Sequence, residues 1–413
     1  MKVRAKLGGR AFFVYDKTKV LKGVKEMKIG IDKIGFFTSH LFVDMKELAF
    51  ARAEDPNKYL IGIGQSKMAV IPPSQDVVTM AANAAARILT TADKEQISYV
   101  IFATESGIDN SKATAVYLAR LLGLKKEIRA IELKQACYGA TAGIQLARGF
   151  VALNPDSKVL VIAADNARYG IKSPGEPTQG GGAVALLIGT NPQILALEDG
   201  STAYTQDIMD FWRPLGKNEA LVDGRYSEDV YLNFFSHVWQ AYLDKTGYQL
   251  GDFAALLFHL PYTKMGLKAL RIALKDARPD EAVNFVQEFE HARTFNREVG
   301  NLYTGSLYLS LLSLLFNSEK LRAGQRIGLF SYGSGAEAEF YSGIVQPNFK
   351  QGLMNVNYLQ VLNERQEVSV SEYEKLYQQH LFSAQEGRVA YDTDPARYFF
   401  AGISDFKRQY QEK

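Results

Sequence analysis

The stretch IELKQACYGATAGIQL, residues 131–146, joins two kinds of secondary structure around the only cysteine of the 413-residue chain. The run EIRAIEL (127–133) has the apolar pattern of a strand, and residues 137–153 follow with the apolar spacing of a helix. Cys137 therefore lies where a strand ends and a helix begins. The small residues after it leave room for close packing or for a ligand beside the thiol.

Strand-like and helix-like segments alternate on both sides of this stretch. In the first half the strand patterns occupy 96–106, 127–133, 158–165, 180–189 and 194–200, and the helical patterns occupy 110–124 and 137–153. In the second half the strand patterns occupy 254–260 and 326–345, and the helical patterns occupy 263–275 and 301–316. Such alternation predicts an α/β protein in which helices cross over between the strands of a sheet.

The two series predict a duplicated architecture of two similar βαβ halves, residues 27–195 and 196–413. Residues 201–250 are aromatic-rich and less regular, and we expect them to form loops and helices over a site. The tail from about residue 346 is charged, and we expect it to be peripheral.

Residues 1–26 differ from the rest of the chain in charge. They contain eight Lys or Arg and two Asp or Glu, whereas the whole chain has a net charge of +3. The remaining residues therefore carry 40 basic and 43 acidic side chains, which gives no electrostatic case for a nucleic-acid partner. Residues 1–26 also lack the apolar core of a signal peptide. We expect them to be an extension outside the folded core, with the first core strand opening near Met27.

Composition limits the cellular setting. A single cysteine excludes an intramolecular disulfide and suits the reducing cytoplasm. No run reaches the roughly 18 apolar residues of a membrane span, so we predict no membrane association.

Three side chains stand at the ends of apolar segments, where α/β sheets bind ligands. Cys137 precedes a helix, whose N-terminal N–H groups and dipole favour a thiolate. Glu105 closes YVIFATES, and partial burial there raises the pKa of a carboxyl toward that of a useful base. His259 ends the strand pattern of LLFHLPYTK.

Each of these residues also has an ordinary structural interpretation. The cysteine can be an inert buried side chain, the glutamate an ion-pairing or capping residue, and the histidine a core residue bonded to backbone. Asn301 begins the long apolar helical pattern, where an N-cap is the plain alternative.

Metal and nucleotide sites are not indicated. One cysteine and scattered histidines do not give the spacing of a zinc site. The chain has no GxxxxGK[ST] loop, and the glycines of GEPTQGGGAV (175–184) precede a strand pattern instead of a helix. We therefore expect neither a common zinc site nor a dinucleotide site.

Cys137, His259 and Asn301 have the order and settings of a condensing enzyme's Cys-His-Asn site. Over roughly residues 27–370 the sequence resembles the bacterial type of 3-hydroxy-3-methylglutaryl-CoA synthases, within the thiolase superfamily. The segments that carry this resemblance are IGIGQ (61–65), ATES (103–106), QACYGAT (135–141), ARYG (167–170), GEPTQGGGAVA (175–185), DFWRP (210–214), FHLPYTKMG (258–266), NLYTGSLYLSL (301–311) and GLFSYGSG (328–335). The main local departure is Gln135, where the family pattern has Glu.

The resemblance implies a thiolase-like fold, with two similar halves, each a mixed five-stranded sheet, in a five-layer α-β-α-β-α sandwich. It implies a homodimer without metal or prosthetic group. The implied reaction is the condensation of acetyl-CoA with acetoacetyl-CoA and water to 3-hydroxy-3-methylglutaryl-CoA and CoA, on the mevalonate route to isoprenoid precursors.

In that reaction Cys137 would hold the acetyl group as a thioester, and Glu105 would remove a proton from its methyl group. His259 would orient and polarise the acetoacetyl group, and backbone N–H groups near Cys137 are candidates for an oxyanion hole. The resemblance also implies substrate contacts at Asp55, Tyr169, Thr178, Ser227, Lys268, Asn301 and Ser334. Lys268 suits the phosphates of CoA as a mobile positive charge.

Three other classes of protein fit parts of the pattern. The first is another thiolase-superfamily condensing enzyme, such as a ketoacyl-carrier-protein synthase III, which would not need Glu105. A biosynthetic thiolase would need a second cysteine, which the chain lacks. The others are a Cys-His-Asn hydrolase and a CoA-binding protein without catalysis.

Overall fold

The computed structural model describes residues 27–354, 356–382 and 385–413, and the backbone of two short strands nearer the N-terminus. The strands of the described part are β1 (Arg4–Leu7), β2 (Arg10–Phe13), β3 (Ile29–Phe37), β4 (Leu41–Asp44), β5 (Lys67–Ala69), β6 (Ile97–Ala103), β7 (Arg129–Leu133), β8 (Lys158–Ala167), β9 (Gly180–Thr190), β10 (Leu195–Leu197), β11 (Thr202–Thr205), β12 (Phe211–Trp212), β13 (Leu221–Val222), β14 (Phe253–Phe258), β15 (Arg326–Gly333), β16 (Glu337–Val345), β17 (Gln366–Glu367), β18 (Gly387–Arg388), β19 (Tyr398–Ser404) and β20 (Lys407–Glu412).

The helices follow the same order along the chain. They are α1 (Met45–Ala51), α2 (Val77–Ala86), α3 (Thr91–Gln96), α4 (Thr114–Leu121), α5 (Gly139–Leu153), α6 (Gly224–Thr246), α7 (Met265–Ala273), α8 (Pro279–Val299), α9 (Ser306–Asn317), α10 (Tyr358–Asn363) and α11 (Val370–Gln378). Short 3₁₀ turns occupy Glu176–Thr178, Leu250–Asp252, Tyr303–Gly305 and Gln351–Leu353, and a π-helical turn occupies Lys58–Ile63. This mixture of strands and crossover helices confirms the predicted α/β class.

The main sheet has the order β14-β15-β16-β10-β3-β9-β8-β6-β7, with β11 beside β16. The pairs β6–β7, β6–β8 and β14–β15 are parallel, and the other pairs are antiparallel. The sheet runs on from the first half into the second because β10, at the boundary, lies between β3 and β16, with Leu195 opposite Ile31 and Leu197 opposite Gly343.

Helices cover this sheet. Helix α2 packs on β3, β8 and β9, α5 packs on β6, β8 and β9, and α6 packs on β11 and β16. Helix α9 packs on β14 and β15 and is buried from Ser306 to Leu315. The hydroxyls of Thr141 in α5 and Tyr308 in α9 lie 2.7 Å apart. Helices α5 and α9 are therefore neighbours in the interior of the protein.

The boundaries of α9 differ from the sequence prediction of a helix over 301–316. The regular helix begins at Ser306, after the 3₁₀ turn Tyr303–Gly305. Tyr303 has a φ of +45° and so does not continue a right-handed helix. Asn301 therefore precedes the helix by a full turn.

The expectation of a peripheral tail from about residue 346 was wrong. Phe349, Tyr358, Tyr398 and Phe400 are buried in the main core cluster. The carbonyl of Tyr398 in β19 accepts hydrogen bonds from the Asn83 side chain, at 2.9 Å, and from that of Gln75, at 3.1 Å. The high mean charge of the tail concealed apolar residues that alternate with the charged ones.

The prediction for residues 1–26 falls largely outside the described residues. Within that segment the described strands β1 and β2 pair with each other, antiparallel, from Arg4 opposite Phe13 to Leu7 opposite Arg10. Across the described ranges, no helix combines the length and apolar character that a membrane crossing needs.

Candidate active site

The parallel strands β6, β7 and β8 end at one edge of the sheet. Ala103 of β6 lies in register with Leu133 of β7 and with Ala163 of β8. The carboxyl ends of parallel strands place the residues that follow them side by side. Beyond these ends stand Glu105 and Cys137, whose side chains meet: Sγ lies 3.2 Å from Oε1.

A tight turn between β7 and α5 presents the thiol. Ala136 has a φ of +42°, in the left-handed region, directly before Cys137. The N–H of Tyr138 donates to the carbonyl of Gln135 at 3.0 Å, and the N–H of Gly139 donates to that of Ala136 at 3.3 Å. These two N–H groups serve the turn itself and are therefore poor candidates for the oxyanion hole expected near the cysteine.

Strand β15 of the second half closes against this turn at Gly333. A Cβ on Gly333 would lie 2.6 Å from the carbonyl oxygen of Gln135 and 2.7 Å from the backbone nitrogen of Tyr138. Only a glycine allows so close an approach of two backbones. The turn that carries Cys137 is thus held from one side by the first half and from the other by the end of β15.

Glu105 is a buried carboxyl, with about a tenth of its surface exposed. Burial raises the pKa of Glu105 to about 8, and the nearby Asp165 carboxylate adds to the rise. Arg213 and the contact with the Cys137 thiol oppose this rise of the pKa. Burial thus shifts this pKa in the predicted direction, and a carboxyl with such a pKa exchanges a proton readily near neutral pH.

The expectation of a thiolate at Cys137 was wrong for the free protein. Burial raises the pKa of the Cys137 thiol well above its usual range, and the Glu105, Asp165 and Asp210 carboxylates raise it further. The dipole at a helix N-terminus stabilises a thiolate only close to the first turn. The sulfur of Cys137 faces carboxylates there instead of free N–H groups. The resting group is a thiol hydrogen-bonded to Glu105.

Asp165 is a site residue that the sequence analysis missed. Its Oδ1 accepts hydrogen bonds from the N–H groups of Glu105 and Ser106 at 2.9 and 3.0 Å, and from the hydroxyls of Thr104 and Ser106. Its Oδ2 accepts the N–H and hydroxyl of Thr304 at 3.1 and 2.6 Å. This buried carboxylate fixes the backbone that carries Glu105. A signal existed, because the strand pattern KVLVIAAD ends in Asp165 much as Glu105 stands near the end of YVIFATES.

His259 lies directly after β14 in the second half, as Glu105 lies just after β6 in the first half. Its N–H donates to the carbonyl of Phe330 at 2.8 Å, and its carbonyl accepts the hydroxyl of Tyr231 at 2.8 Å. Nδ1 is buried without a hydrogen-bond partner among the described residues. Burial lowers the pKa of His259 to about 3, so the imidazole is neutral across the working pH range.

Asn301 combines a structural contact with a place in the site. Its Oδ1 accepts the N–H of Tyr303 at 2.8 Å and the hydroxyl of Ser306 at 2.9 Å, which supports the start of α9. Its Nδ2 lies 3.5 Å from the hydroxyl of Tyr169. Asn301 is not the N-cap of α9, which is Gly305 without a side-chain cap; it instead stabilises the turn that leads into the helix.

A cavity of about 220 Å³ is bordered by Cys137, His259 and Asn301, whereas Glu105 is not among its lining residues and adjoins it through the Cys137 thiol. The residues predicted from the sequence that line it are Cys137, Tyr169, Thr178, Ser227, His259, Asn301 and Ser334. Aromatic residues that were not predicted complete the wall, namely Phe211, Tyr231, Tyr262, Tyr303 and Tyr332. The cavity is thus a largely aromatic chamber with the thiol, the imidazole and an amide in its wall.

Asp210, from the segment DFWRP, organises another part of the wall and was also missed as a site residue. It is fully buried, and its Oδ2 accepts the hydroxyls of Ser227 at 3.0 Å and Tyr332 at 2.8 Å. Its Oδ1 accepts the N–H of Gly335 at 2.8 Å. These bonds hold α6 and the turn between β15 and β16 in fixed positions around the cavity.

Two predicted substrate-contact residues do not line the cavity. Lys268 donates to Glu228 at 2.5 Å, and Glu228, which also accepts the hydroxyl of Tyr262 at 2.9 Å, is a lining residue. Lys268 therefore lies just beside the wall. Asp55 is exposed, and its side chain accepts the N–H of Asn57 at 2.9 Å in a surface turn. Of the two, only Lys268 is linked to the cavity through a direct neighbour.

Family models described as hydroxymethylglutaryl-coenzyme A synthase, N terminal and C terminal, match residues 25–193 and 281–413. The hydroxymethylglutaryl-CoA synthase of Enterococcus faecalis is 50% identical over 385 residues, which cover 93% of this chain and 100% of that protein.

Solved structures give the same picture. The crystal structure of HMG-CoA synthase complexed with CoA superposes with a TM-score of 0.91 at 43% identity, covering 94% of this chain and 100% of its own. The structure of MvaS in complex with 3-hydroxy-3-methylglutaryl coenzyme A gives a TM-score of 0.84 at 36% identity, with the same coverage. These neighbours confirm the predicted thiolase-like fold.

Proposed function

The chain belongs to the hydroxymethylglutaryl-CoA synthase family, and from this premise we propose how its residues carry the reaction. The enzyme is an acyltransferase that condenses acetyl-CoA with acetoacetyl-CoA and water to 3-hydroxy-3-methylglutaryl-CoA and CoA. The observation that carries the assignment of roles is the contact of 3.2 Å between the Cys137 thiol and the Glu105 carboxyl beside the cavity.

The first step is acetyl transfer to Cys137. The sulfur attacks the carbonyl carbon of acetyl-CoA, a new S–C bond forms, and the bond to the sulfur of CoA breaks. The proton of the Cys137 thiol ends on the departing CoA sulfur, so the step needs no other reactant. Covalent capture holds the acetyl group in the cavity and divides one difficult reaction into easier ones.

The second step forms the carbon–carbon bond. Glu105 removes a proton from the methyl group of acetyl-Cys137, and the resulting carbon nucleophile attacks the ketone carbon of acetoacetyl-CoA. Glu105 then returns the proton to the new alkoxide. Its pKa of about 8 supports both directions of transfer, because a group that titrates near the working pH is an effective base and an effective acid. Water finally hydrolyses the thioester and frees Cys137.

His259 serves as a neutral polarising group in this scheme. Its imidazole lines the cavity, and Nδ1 has no protein partner within the described ranges. A neutral ring donates through one nitrogen only and carries no competing charge. It is thus suited to donate a hydrogen bond to the ketone oxygen of acetoacetyl-CoA as negative charge develops there.

We expect His259→Ala to lower the rate of condensation by about 10²-fold, as the loss of one donor at a developing oxyanion does. Acetylation of Cys137 by acetyl-CoA alone should fall far less. The measurement is a pair of rates on one preparation: acetyl label on the protein, and product formed after acetoacetyl-CoA is added. His40→Ala, which changes a histidine outside the cavity lining, is the matched control. Equal losses in both steps would contradict the assignment.

The rate of condensation should depend on pH through Glu105. Its pKa is raised, so the carboxylate that removes the methyl proton is the minor form below about pH 8. The rate at saturating substrates should therefore rise with pH up to about 8 and then level off. Glu105→Gln should abolish this rising limb in the residual activity. His259, with a pKa near 3, should add no transition between pH 5 and 9.

The remaining site residues are proposed as substrate contacts. Tyr169, Thr178, Asn301 and Ser334 would contact the acyl groups, and Ser227 would contact the chain of CoA, because all of them line the cavity. Lys268 would bind a phosphate of CoA after leaving Glu228. Asp55 remains a proposal that rests on the resemblance alone.

We propose a homodimer that works without metal or prosthetic group. Strand β7 is the edge of the main sheet and pairs only with β6 within the described residues, so its second edge is open to a second copy.

Each half of the chain, 27–195 and 196–413, would be one thiolase-like unit. A cytoplasmic location on the mevalonate route fits a chain with one free cysteine.

The assay that tests the function uses labelled acetyl-CoA with and without acetoacetyl-CoA. We expect one acetyl group on Cys137 in the first case and 3-hydroxy-3-methylglutaryl-CoA in the second. Turnover only with an acyl carrier protein substrate, and none with acetoacetyl-CoA, would favour a ketoacyl-synthase-like enzyme instead.

A further inference from the structure

Helix α11, Val370–Gln378, lies in the tail, far along the chain from the catalytic groups, yet it contacts the loop that carries Tyr169. We propose that Tyr373 and Tyr377 of this helix are positioning residues that set the place of Tyr169 in the wall of the active site. This inference rests on the proposed function.

The first contact runs through Gln179. The Oε1 of Gln179 accepts the N–H groups of Tyr169 at 2.7 Å and Gly170 at 3.2 Å. The Nε2 of Gln179 donates to the hydroxyl of Tyr373 at 2.8 Å. Gln179 and Tyr373 are both 3% exposed, so water does not readily replace either partner. The amide of Gln179 thus transmits the position of Tyr373 to the backbone of Tyr169.

The hydroxyl of Tyr373 is itself fixed. It donates to Glu176 at 3.1 Å, and Glu176 is held by two bonds of 2.7 and 2.8 Å from the guanidinium of Arg52. Arg52 also forms an ion pair with Glu374 of α11 at 2.7 Å. A bidentate pair of this kind is rigid as well as strong. Helix α11 is therefore attached to both ends of the loop from Tyr169 to Gln179.

The second contact is direct. The hydroxyl of Tyr377 accepts the N–H of Gly170 at 3.1 Å and donates to Glu219 at 3.2 Å. The Arg168 guanidinium stacks 3.5 Å from the ring of Tyr377 and donates to its carbonyl at 3.0 Å. The residues on both sides of Tyr169 are thus bonded to a single residue of α11.

The ring of Tyr169 follows its backbone because it has little space to move independently. A Cβ on Gly175 would lie 2.8 Å from Cβ and Cγ of Tyr169, so the ring packs against the bare backbone there. Edge-to-face contacts to Phe211 and Tyr303, each at 6.0 Å between centroids, enclose it on other sides. A shift of the loop therefore displaces the ring and its hydroxyl relative to Asn301.

The test compares Tyr373→Phe and Tyr377→Phe with Tyr358→Phe. Tyr358 is a buried tyrosine of the same tail whose hydroxyl makes no hydrogen bond to the loop from Tyr169 to Gln179 in the described structure, so its variant controls for loss of a buried hydroxyl elsewhere in the tail. Both α11 variants should lower kcat of condensation by between about 10-fold and 10²-fold, as small displacements of a reactive geometry do. Tyr358→Phe should keep the wild-type kcat. The KM for each CoA substrate should change less than kcat.

A double-mutant cycle separates positioning from a general loss of stability. Gln179→Leu should lower kcat, and adding Tyr373→Phe to it should lower kcat no further, because the connection is already broken. Independent losses that multiply would overturn the proposal, as would a kcat equal to that of Tyr358→Phe with only a lower thermal midpoint. If the wild type itself neither acetylates Cys137 nor makes product, the proposed function fails instead.

Discussion

Cys137→Ser is expected to lose acetyl transfer by several orders of magnitude. The sulfur is the atom that bonds to the acetyl carbon, and a serine hydroxyl in this buried, carboxylate-rich setting is a far poorer nucleophile. The surroundings that raise the pKa of the Cys137 thiol also raise the pKa of a serine hydroxyl, which is higher to begin with, so the hydroxyl stays protonated. The loss should appear in acetylation by acetyl-CoA alone and therefore also in the overall reaction.

Mass spectrometry of the peptide that contains Cys137 provides the measurement. The wild type incubated with acetyl-CoA should gain one acetyl group on that peptide, and Cys137→Ser and Cys137→Ala should gain none. Both variants should unfold at close to the wild-type temperature, because a sulfur-to-oxygen change and a truncation leave the turn intact. An acetyl group on any other residue would refute the covalent mechanism.

Glu105→Ala is expected to separate the two chemical steps. The carboxylate of Glu105 raises the pKa of the Cys137 thiol, so removing it does not weaken the nucleophile, and acetyl-Cys137 should still form. Condensation should fall by about 10²–10⁴-fold, because the group that removes the methyl proton is gone. Glu105→Asp should recover little, since a side chain shorter by one methylene does not reach the methyl group.

The decisive quantity is the ratio of acetylation rate to condensation rate in one variant. Glu127→Ala, which changes an exposed glutamate, is the matched control and should leave both rates unchanged. If Glu105→Ala condenses at the wild-type rate, a residue other than Glu105 removes the methyl proton. If it loses acetylation as severely as Cys137→Ser, Glu105 supports the thiol or the local fold instead.

The sequence predicted those groups whose position follows from one segment. Glu105, Cys137 and His259 each stand just beyond an apolar strand. The parallel strands β6 and β7 bring the first two to one edge of the sheet, whereas β14 is parallel only to β15, so the meeting of His259 with Cys137 at the cavity does not follow from strand ends alone. Periodicity within a segment is enough to locate them. The burial that raises the pKa of Glu105 follows from its place at a strand end, whereas the contribution of Asp165 to that rise does not.

Other features depend on contacts between distant segments, which no single window of sequence contains. Asp165 and Asp210 were missed because their importance lies in the distant groups that donate hydrogen bonds to them. We predicted the wrong direction for the pKa shift of Cys137, because the start of the helix is visible in the sequence whereas the carboxylates that face the thiol are not. Tyr373 was overlooked in a tail whose charge suggested a peripheral segment.

The close approach of Gly333 to the cysteine turn has a consequence for folding. The turn that presents the thiol belongs to the first half of the chain, but one of its walls is the end of β15, nearly 200 residues later. A nascent or half-folded chain therefore holds its nucleophile without the surface that shapes it. We therefore expect the competence of Cys137 to capture an acyl group to arise only when the late strand docks.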